Sequence, residues 1–441
     1  MLRTLATDAV DKIGKTIKLQ GFIEKIRDHG KITFLDIRDM SGLIQCVGEN
    51  LPKVTPQSAV EVSGVVNKRP SKMVNKNIKT GTIEVWITRL EILSKAEELP
   101  FDMGKDELGL QLPTLLDFRT LTLRHTKVAK IFKVQESLME GFRKASKELG
   151  CTEIFTPTIS ASSTEGGSEV FKVDYYGHGA FLVQSPQLYK QMLVPTFERV
   201  CLVSRAYRAE PSVTTRHLSE SIQMDCELGF VDFTDLLDAM EFTGRETISY
   251  AVEKCKDVLN EYKVAEIKVN KNVPRLTLRE AQKILMDRTG IDHTKELDMM
   301  PEDEREICKW AHEEKNCDFV TITHFPTRKR SFYTMPDPKD PEYSLSYDLL
   351  FKGVEILSGS QRINDYGELV KIIKAKGMNP ENFKMYLQTF KYGMPPEGGF
   401  SFGLERLTML LLDLSNIREA SLFPRDMERV DFRLPPKNKE E

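Results

Sequence analysis

Gly399-Phe400-Ser401-Phe402-Gly403-Leu404-Glu405-Arg406 alternates small and aromatic residues, then passes directly into a helical pattern. The alternation predicts a strand over 398–402, and the apolar spacing after it predicts a helix over 403–412. Arg406 falls in the first turn of that helix, where backbone N–H groups favour an anion. A second stretch has the same character: Tyr207-Arg208-Ala209-Glu210, then Pro211-Ser212-Val213-Thr214, then Thr215-Arg216-His217-Leu218. Arginine set among apolar strand or helix residues needs an anionic partner, and the guanidinium fork suits phosphate and carboxylate. A nucleoside triphosphate is the natural candidate.

The chain around these segments has 441 residues, 40% apolar and 29% charged, as in soluble globular proteins of two or three domains. No apolar run reaches the ~18 residues of a membrane span, and no basic-then-apolar leader precedes the chain, so neither membrane nor secretion is expected. Seven cysteines are scattered without a C-x-x-C pair, which suits reduced thiols in a cytoplasmic protein. Cys308, His312 and Cys317 lack a fourth ligand at zinc spacing and read as a helix face followed by a strand. The net charge of −3 conceals an asymmetry: residues 1–100 carry 16 Lys+Arg against 12 Asp+Glu. A basic head on an acidic body points weakly to a nucleic-acid partner for the head.

Five strands are expected at 17–27, 31–38, 43–47, 59–66 and 82–93, with turns at His29-Gly30, Met40-Ser41-Gly42 and Lys79-Thr80-Gly81. Five strands in so short a span suit a Greek-key barrel such as the OB-fold, whose face binds oligonucleotides. Phe34 is the candidate stacking platform there, with a core position the equal alternative. Residues 99–120, broken by Pro100, Pro113 and glycines, read as a hinge. A helix is expected over 121–149, ended by Gly150, then a strand over 152–155. Further strands are expected at 180–183, 200–206, 221–230, 318–323, 332–335, 346–351 and 353–358. Helices are expected at 235–259, within 277–314 as a pair, and at 365–376 and 380–391. Strands outnumber crossovers, so the class is α+β, with a mostly antiparallel sheet flanked by helices.

These segments, with Gln184-Ser185-Pro186-Gln187-Leu188-Tyr189-Lys190-Gln191, resemble the class II aminoacyl-tRNA synthetases, specifically the compact archaeal/eukaryotic-like aspartyl-tRNA synthetases. The resemblance implies an OB-fold anticodon-binding domain over 1–98, the hinge, and a class II catalytic domain over 121–441. Motif 1 ends at Pro157 and implies a homodimer; motif 2 is 197–230 and motif 3 is 399–412. The implied activity is ATP-dependent formation of aspartyl-adenylate, then transfer of aspartate to the 3′ end of tRNA(Asp), with tRNA(Asn) as an open second acceptor. The alternatives are an asparaginyl-tRNA synthetase of the same subclass and a non-catalytic tRNA-binding paralogue.

The resemblance also assigns residues. Arg208 would bridge the attacking carboxylate and the α-phosphate, Glu210 would hold the adenine edge, and Arg216 and His217 would line the outer phosphates. Arg406 would hold the γ-phosphate and stack on adenine. Ala209, Leu218, Glu355, Gly403, Leu404 and Glu405 complete the ATP set. L-Aspartate would meet Lys190 and Arg362 with its side-chain carboxylate. Glu165, Gln187 and Asp225 would take its ammonium group, and Leu188, Tyr189, Arg208 and Ser358 would line the rest. Mg2+ would be held by Glu355 and Ser358, assisted by Asp348. Phe34, Gln45 and Glu84 would read the anticodon. Phe22 stands where relatives often carry tryptophan, and no domain is inserted between motifs 2 and 3.

Overall fold

The computed structural model describes residues 2–161, 169–211 and 214–435. The chain divides between Leu115 and Leu116 into two compact units. In the first, β1 (Thr16–Asp28), β2 (Ile32–Arg38), β3 (Leu43–Glu49), β4 (Ala59–Lys68) and β5 (Ile83–Ser94) close in the order β1-β2-β3-β5-β4. Alternation does the sorting: Val60, Val62 and Val66 of β4 point inward to meet Leu19, Ile23, Leu35 and Ile37, and the residues between them face out. At Gly64 the β4–β5 register shifts, and a Cβ there would stand 2.3 Å from Trp86 O. Only glycine permits that approach.

The residues expected as a hinge divide between the two units at Leu115. Met103 is buried, Lys25 Nζ donates to Gly104 O at 3.4 Å, and residues Leu112–Asp117 are helical. The barrel unit therefore runs well past residue 98, because the polar stretch after β5 packs back on it.

The second unit contributes β6 (Thr152–Glu153), β7 (Ile159–Ser160), β8 (Lys172–Tyr175), β9 (His178–Leu182), β10 (Arg199–Tyr207), β11 (Glu220–Gly229), β12 (Arg275–Thr277), β13 (Phe319–Thr323), β14 (Ser346–Phe351), β15 (Val354–Gln361) and β16 (Glu397–Gly403). Eight of these form one sheet, ordered β12-β13-β14-β15-β16-β11-β10-β6. The pairs from β13 to β10 are antiparallel, and the outer pairs β12·β13 and β10·β6 are parallel. Strands β7, β9 and β8 form a separate small sheet.

Helices Thr126–Glu148 and Phe233–Lys254 cover one face of the large sheet. They touch at Gly141, where a Cβ would lie 2.9 Å from Thr247 O. Phe142 meets Phe402 edge-on, and Gly244 lies against Leu349. The sheet's period of two then sends Met224, Cys226, Phe400 and Phe402 toward the helices and the polar residues between them to the other face.

Two spans differ from expectation. Residues 332–335 do not form a strand: only a single bridge joins Thr334 to Arg362, while Phe332 and Tyr333 fill an apolar cluster, and Pro336 has no N–H to extend a ladder. The helix expected over 121–149 breaks after Thr122 and restarts at Thr126.

Candidate functional site

On the sheet face away from the helices, strand register lines up a polar row. Asp348 of β14 pairs with Ser358 of β15, Ser358 with Ser401 of β16, and Ser401 with Asp225 of β11. Ser358, Ser401 and Asp225 of this row floor a cavity of about 320 Å³. Its walls include Arg208 and Arg216 from beyond β10, Arg406 at the start of helix Leu404–Leu411, and Arg330. Guanidinium groups from segments distant in sequence thus share one cavity, and His217 lines it with them. Burial lowers the His217 pKa first, and Arg406, Arg208 and Arg216 lower it further, which keeps the ring neutral.

The walls carry little internal compensation for this charge. Among the described residues no hydrogen bond or ion pair holds the Arg208 guanidinium, whose backbone N–H donates to Ser219 O at 2.9 Å. Arg216 lies 3.6 Å from Glu304, and Arg406 Nη1 donates to Glu355 O at 2.9 Å. Glu355 is pushed up to about 7, chiefly by burial and then by Asp348. Glu405 is also pushed up to about 7, mainly by burial, and both its oxygens accept from Ile222 N, at 3.2 and 3.0 Å. It clamps motif 3 to β11.

One end of the cavity closes on a sealed ionic cluster. Lys190 Nζ lies 2.9 Å from Asp225 Oδ1, 3.1 Å from Glu227 Oε2, and 3.4 Å from both Cys226 O and Phe400 O. Arg362 donates from Nε to Glu227 Oε1 at 2.7 Å, from Nη2 to Gly399 O at 2.9 Å and from Nη1 to Ser360 Oγ at 2.6 Å. Burial opposes ionisation of Glu227, but Arg362 and Lys190 outweigh it and hold the carboxylate at about 2. Glu397 beside it is raised well above the ordinary range by burial and by Glu227, so it keeps its proton. Buried atoms here without a hydrogen-bond partner among the described residues include Asp225 Oδ2, Gln187 Nε2 and Glu397 Oε2.

Of the residues expected from sequence, Gln187, Lys190, Arg208, Arg216, His217, Leu218, Asp225, Glu355, Ser358, Arg362, Gly403, Glu405 and Arg406 line this cavity. Leu188 does not; it packs in the cluster with Phe332 and Leu369 because it sits on the apolar side of helix Gln187–Met192. Leu404 is fully buried, and Tyr189, Ala209 and Glu210 also stand off the wall. Asp348 lies behind it, with Oδ1 accepting from Ser358 Oγ at 2.7 Å and Oδ2 from Arg330 Nη2 at 2.8 Å. Glu165 lies outside the described residues.

Two expectations change in kind. The resemblance sets the ammonium of Lys190 before a ligand carboxylate, yet it is fully buried and protein oxygens surround its donors. It gives Gln187 an ammonium group to receive, yet the Gln187 Oε1 accepts from Arg362 Nη2 at 3.3 Å and the unpartnered Nε2 is a donor. Sequence reasoning misses Arg330, whose guanidinium stacks on Phe325 at 4.0 Å and reaches Ser358 Oγ at 3.3 Å. In sequence it ends the run Arg328-Lys329-Arg330, which reads as a solvated charge cluster.

On the barrel, Leu35 points inward and Phe34 lies half-buried on the outer face, outside the core cluster. His29 meets it edge-on at 5.7 Å. Gln45 Nε2 donates to Glu84 Oε2 at 3.0 Å, so the two polar candidates form one unit.

Comparison with known proteins accounts for both units. Residues 111–427 match the tRNA synthetases class II (D, K and N), and residues 17–93 match the OB-fold nucleic acid binding domain. The chain is 41% identical over 431 residues to the aspartate–tRNA(Asp/Asn) ligase of Thermus thermophilus, covering 97% of this chain and 100% of the relative. It is 40% identical over 438 residues to the ligase of the same name from Deinococcus radiodurans, covering 97% and 98%. Among solved structures, asparaginyl-tRNA synthetase from Pyrococcus horikoshii complexed with asparaginyl-adenylate superposes with a TM-score of 0.88 at 29% identity, covering 99% of this chain and 100% of that one. With an OB-fold barrel, an antiparallel sheet carrying motifs 2 and 3, and this near-full-length likeness, the chain belongs to the class II aminoacyl-tRNA synthetases of the D, K and N group.

Proposed function

We propose that the enzyme is an aspartate–tRNA ligase: it joins L-aspartate to ATP as aspartyl-adenylate, releases pyrophosphate, and passes the aspartyl group to the 3′-terminal ribose of tRNA(Asp). The observation that carries this reading is the sealed Lys190–Asp225–Glu227–Arg362 cluster at the end of an arginine-lined cavity. With Glu397 protonated, two cations balance two carboxylates, so one more pair of opposite charges can be accepted. The ammonium and the side-chain carboxylate of aspartate are that pair, and its α-carboxylate is left to Arg208. Among the described residues Arg362 Nη1 engages only Ser360 Oγ and retains one N–H for the substrate side chain, and Lys190 supplies charge from behind. The ammonium finds its acceptor in Asp225 Oδ2, and Gln187 Nε2 offers a hydrogen to a substrate oxygen. Asparagine would turn an amide N–H toward the Arg362 donor and leave it unpaired, which costs several kcal/mol on the order of a lost charged hydrogen bond.

Attack of one anion on another requires screening and alignment. Arg208, open to the cavity, bridges the attacking carboxylate and the α-phosphate in this proposal. Arg216, neutral His217 and Arg406 take the outer phosphates, and Glu210 the adenine edge. The residues around Glu355 fit a hard divalent cation: Glu355 and Ser358 offer oxygen ligands, and the repulsion between Glu355 and Asp348 is what a cation relieves. Mg2+ bound there would neutralise phosphate charge. Asp348, already engaged by Arg330 and Ser358, supports rather than coordinates.

The proposal includes a cytoplasmic homodimer, supported by seven free thiols and by Phe155, 89% exposed beside β6. Charging of tRNA(Asn) is the second reading, favoured by the double acceptor in the names of the Thermus and Deinococcus relatives. No helix is long and apolar enough to cross a membrane among the described residues. The test is aspartate-dependent exchange of pyrophosphate into ATP, which Arg208→Ala should abolish while the fold persists. Equal exchange with asparagine, or robust exchange in the variant, would refute the reading. Binding of ATP without exchange would favour a non-catalytic tRNA-binding protein, and charging of both purified tRNAs decides the acceptor.

A further inference from the structure

Trp86 is 43% exposed on β5, whereas the chain's other tryptophan, Trp310, is buried. Register places it in line with Phe34: Phe34 pairs with Val47 of β3, and Val47 pairs with Trp86. Two strand spacings separate the rings' backbones, about 10 Å. Trp86 Nε1 donates to Glu84 Oε1 at 3.0 Å, which holds the indole by its edge. The neighbouring row is polar and tied together. Arg27 bridges Asp36 and Gln45, and Gln45 bonds Glu84. Glu84 thus has both oxygens engaged, and its orientation and that of Trp86 are set jointly.

The connection from β4 to β5 adds charge. Lys68, Lys72, Lys76 and Lys79 are exposed there, and residues 62–83 contain no Asp or Glu. The loop is anchored: Arg69 is buried and donates to Ile83 O at 2.7 Å, Thr80 Oγ1 donates to Leu43 O at 2.5 Å, and Asn75 N donates to Gly81 O at 3.1 Å. It leads directly to Glu84, which pairs with Asn67 of β4. A lysine run alone would be a solvated surface. Fixed beside the half-buried Phe34 and the exposed Trp86 it is an electrostatic track next to aromatic rings, the combination that binds single-stranded nucleic acid.

We propose that Trp86 is a second base-stacking platform, and that an RNA loop crosses the barrel from Phe34 to Trp86 with its phosphates along Lys68, Lys72, Lys76 and Lys79. This rests on reading the barrel as the tRNA-binding unit. Binding of the full chain to tRNA(Asp) and to its isolated anticodon stem-loop, over a range of salt, tests both. Trp86→Ala should weaken stem-loop binding about thirtyfold, the centre of the range for one lost stacked base, and Trp86→Phe by much less. Stem-loop should quench indole fluorescence in the parent protein and not in Trp86→Phe. Lys72→Ala/Lys76→Ala/Lys79→Ala should reduce the salt dependence of log K by about 2, from roughly 0.7 per phosphate contact. Pyrophosphate exchange, which needs no tRNA, should be unchanged in all of them. Wild-type affinity for the Trp86 variants and no quenching in the parent protein, with Phe34→Ala weakened, would overturn the second platform alone. Wild-type affinity in every variant, Phe34→Ala included, would overturn the barrel as the RNA-binding unit.

Discussion

Lys190 Nζ stands 2.9 Å from Asp225 Oδ1, and both side chains are about 1% exposed. Burial alone would lower the lysine's pKa; Asp225 and Glu227 more than offset it and raise it. Removing one partner of such a pair leaves the other charged, buried and uncompensated. Lys190→Met is therefore expected to cost about 3–5 kcal/mol of stability, measured by urea unfolding, beyond its effect on aspartate use. A change below about 1 kcal/mol would show that water reaches the cluster.

Two glycines of one strand separate packing from ligand approach. A Cβ at Gly399 would stand 2.2 Å from Cys226 O and from Glu227 Oε2, so Gly399→Ala should disrupt the fold, seen as loss of cooperative thermal unfolding. At Gly403, with φ −86, the nearest atom to a new Cβ is Arg406 Cβ at 3.7 Å. Gly403→Ala should leave the melting temperature unchanged and raise the KM for ATP several-fold, roughly the cost of one steric contact in a packed site. An unchanged KM would place the nucleotide elsewhere.

Glu397 faces Glu227 on β11, Arg362 after β15, Gln191, whose Nε2 donates to its Oε1 at 2.7 Å, and Tyr386, which bonds Gln191 at 3.1 Å. Its folded pKa is raised, so its contribution to stability is complete below the ordinary carboxyl pKa. That contribution is lost as pH rises toward the folded value. The amide introduced by Glu397→Gln would keep the bond from Gln191 and donate permanently to Glu227. The parent should lose thermal stability relative to this variant as pH rises above the ordinary carboxyl range. Parallel curves would mean that Glu397 is already ionised.

Glu355, raised to about 7, gives a second pH signature. Its stability contribution in the cation-free protein is present below the ordinary carboxyl pKa and lost as pH rises through about 7. Cation binding runs the other way, because only the carboxylate is a ligand. The Mg2+ concentration for half-maximal exchange should rise as pH falls below about 7, with proton release on binding seen by calorimetry in buffers of different ionisation enthalpy. Glu355→Gln should abolish the proton release. Persistence of that release would assign it to another group.

Strand and helix positions were legible because they rest on local periods of two and 3.6. The five barrel strands fall within a residue or two of their expected places, since turns at Gly30 and Gly42, both at positive φ, punctuate them. The arginine-bearing motifs were legible for the same reason. Burial depth was not. Lys190 and Arg362 read as open cations, but the strands that enclose them come from residues 225–227 and 397–400, far away in sequence. Arg330 was invisible because its run looks solvated until Phe325 and Asp348 fold against it.

The sequence by itself determined which residues alternate, where helices begin, and that arginine clusters must meet anions; these follow from neighbours along the chain. Only the tertiary structure decided that Asp348, Ser358, Ser401 and Asp225 share one row, and that Phe34 and Trp86 share another. Backbone ladders join strands without regard to sequence distance. The choice of partner and register depends on which pairing buries the apolar faces of all strands together, a property no single segment carries.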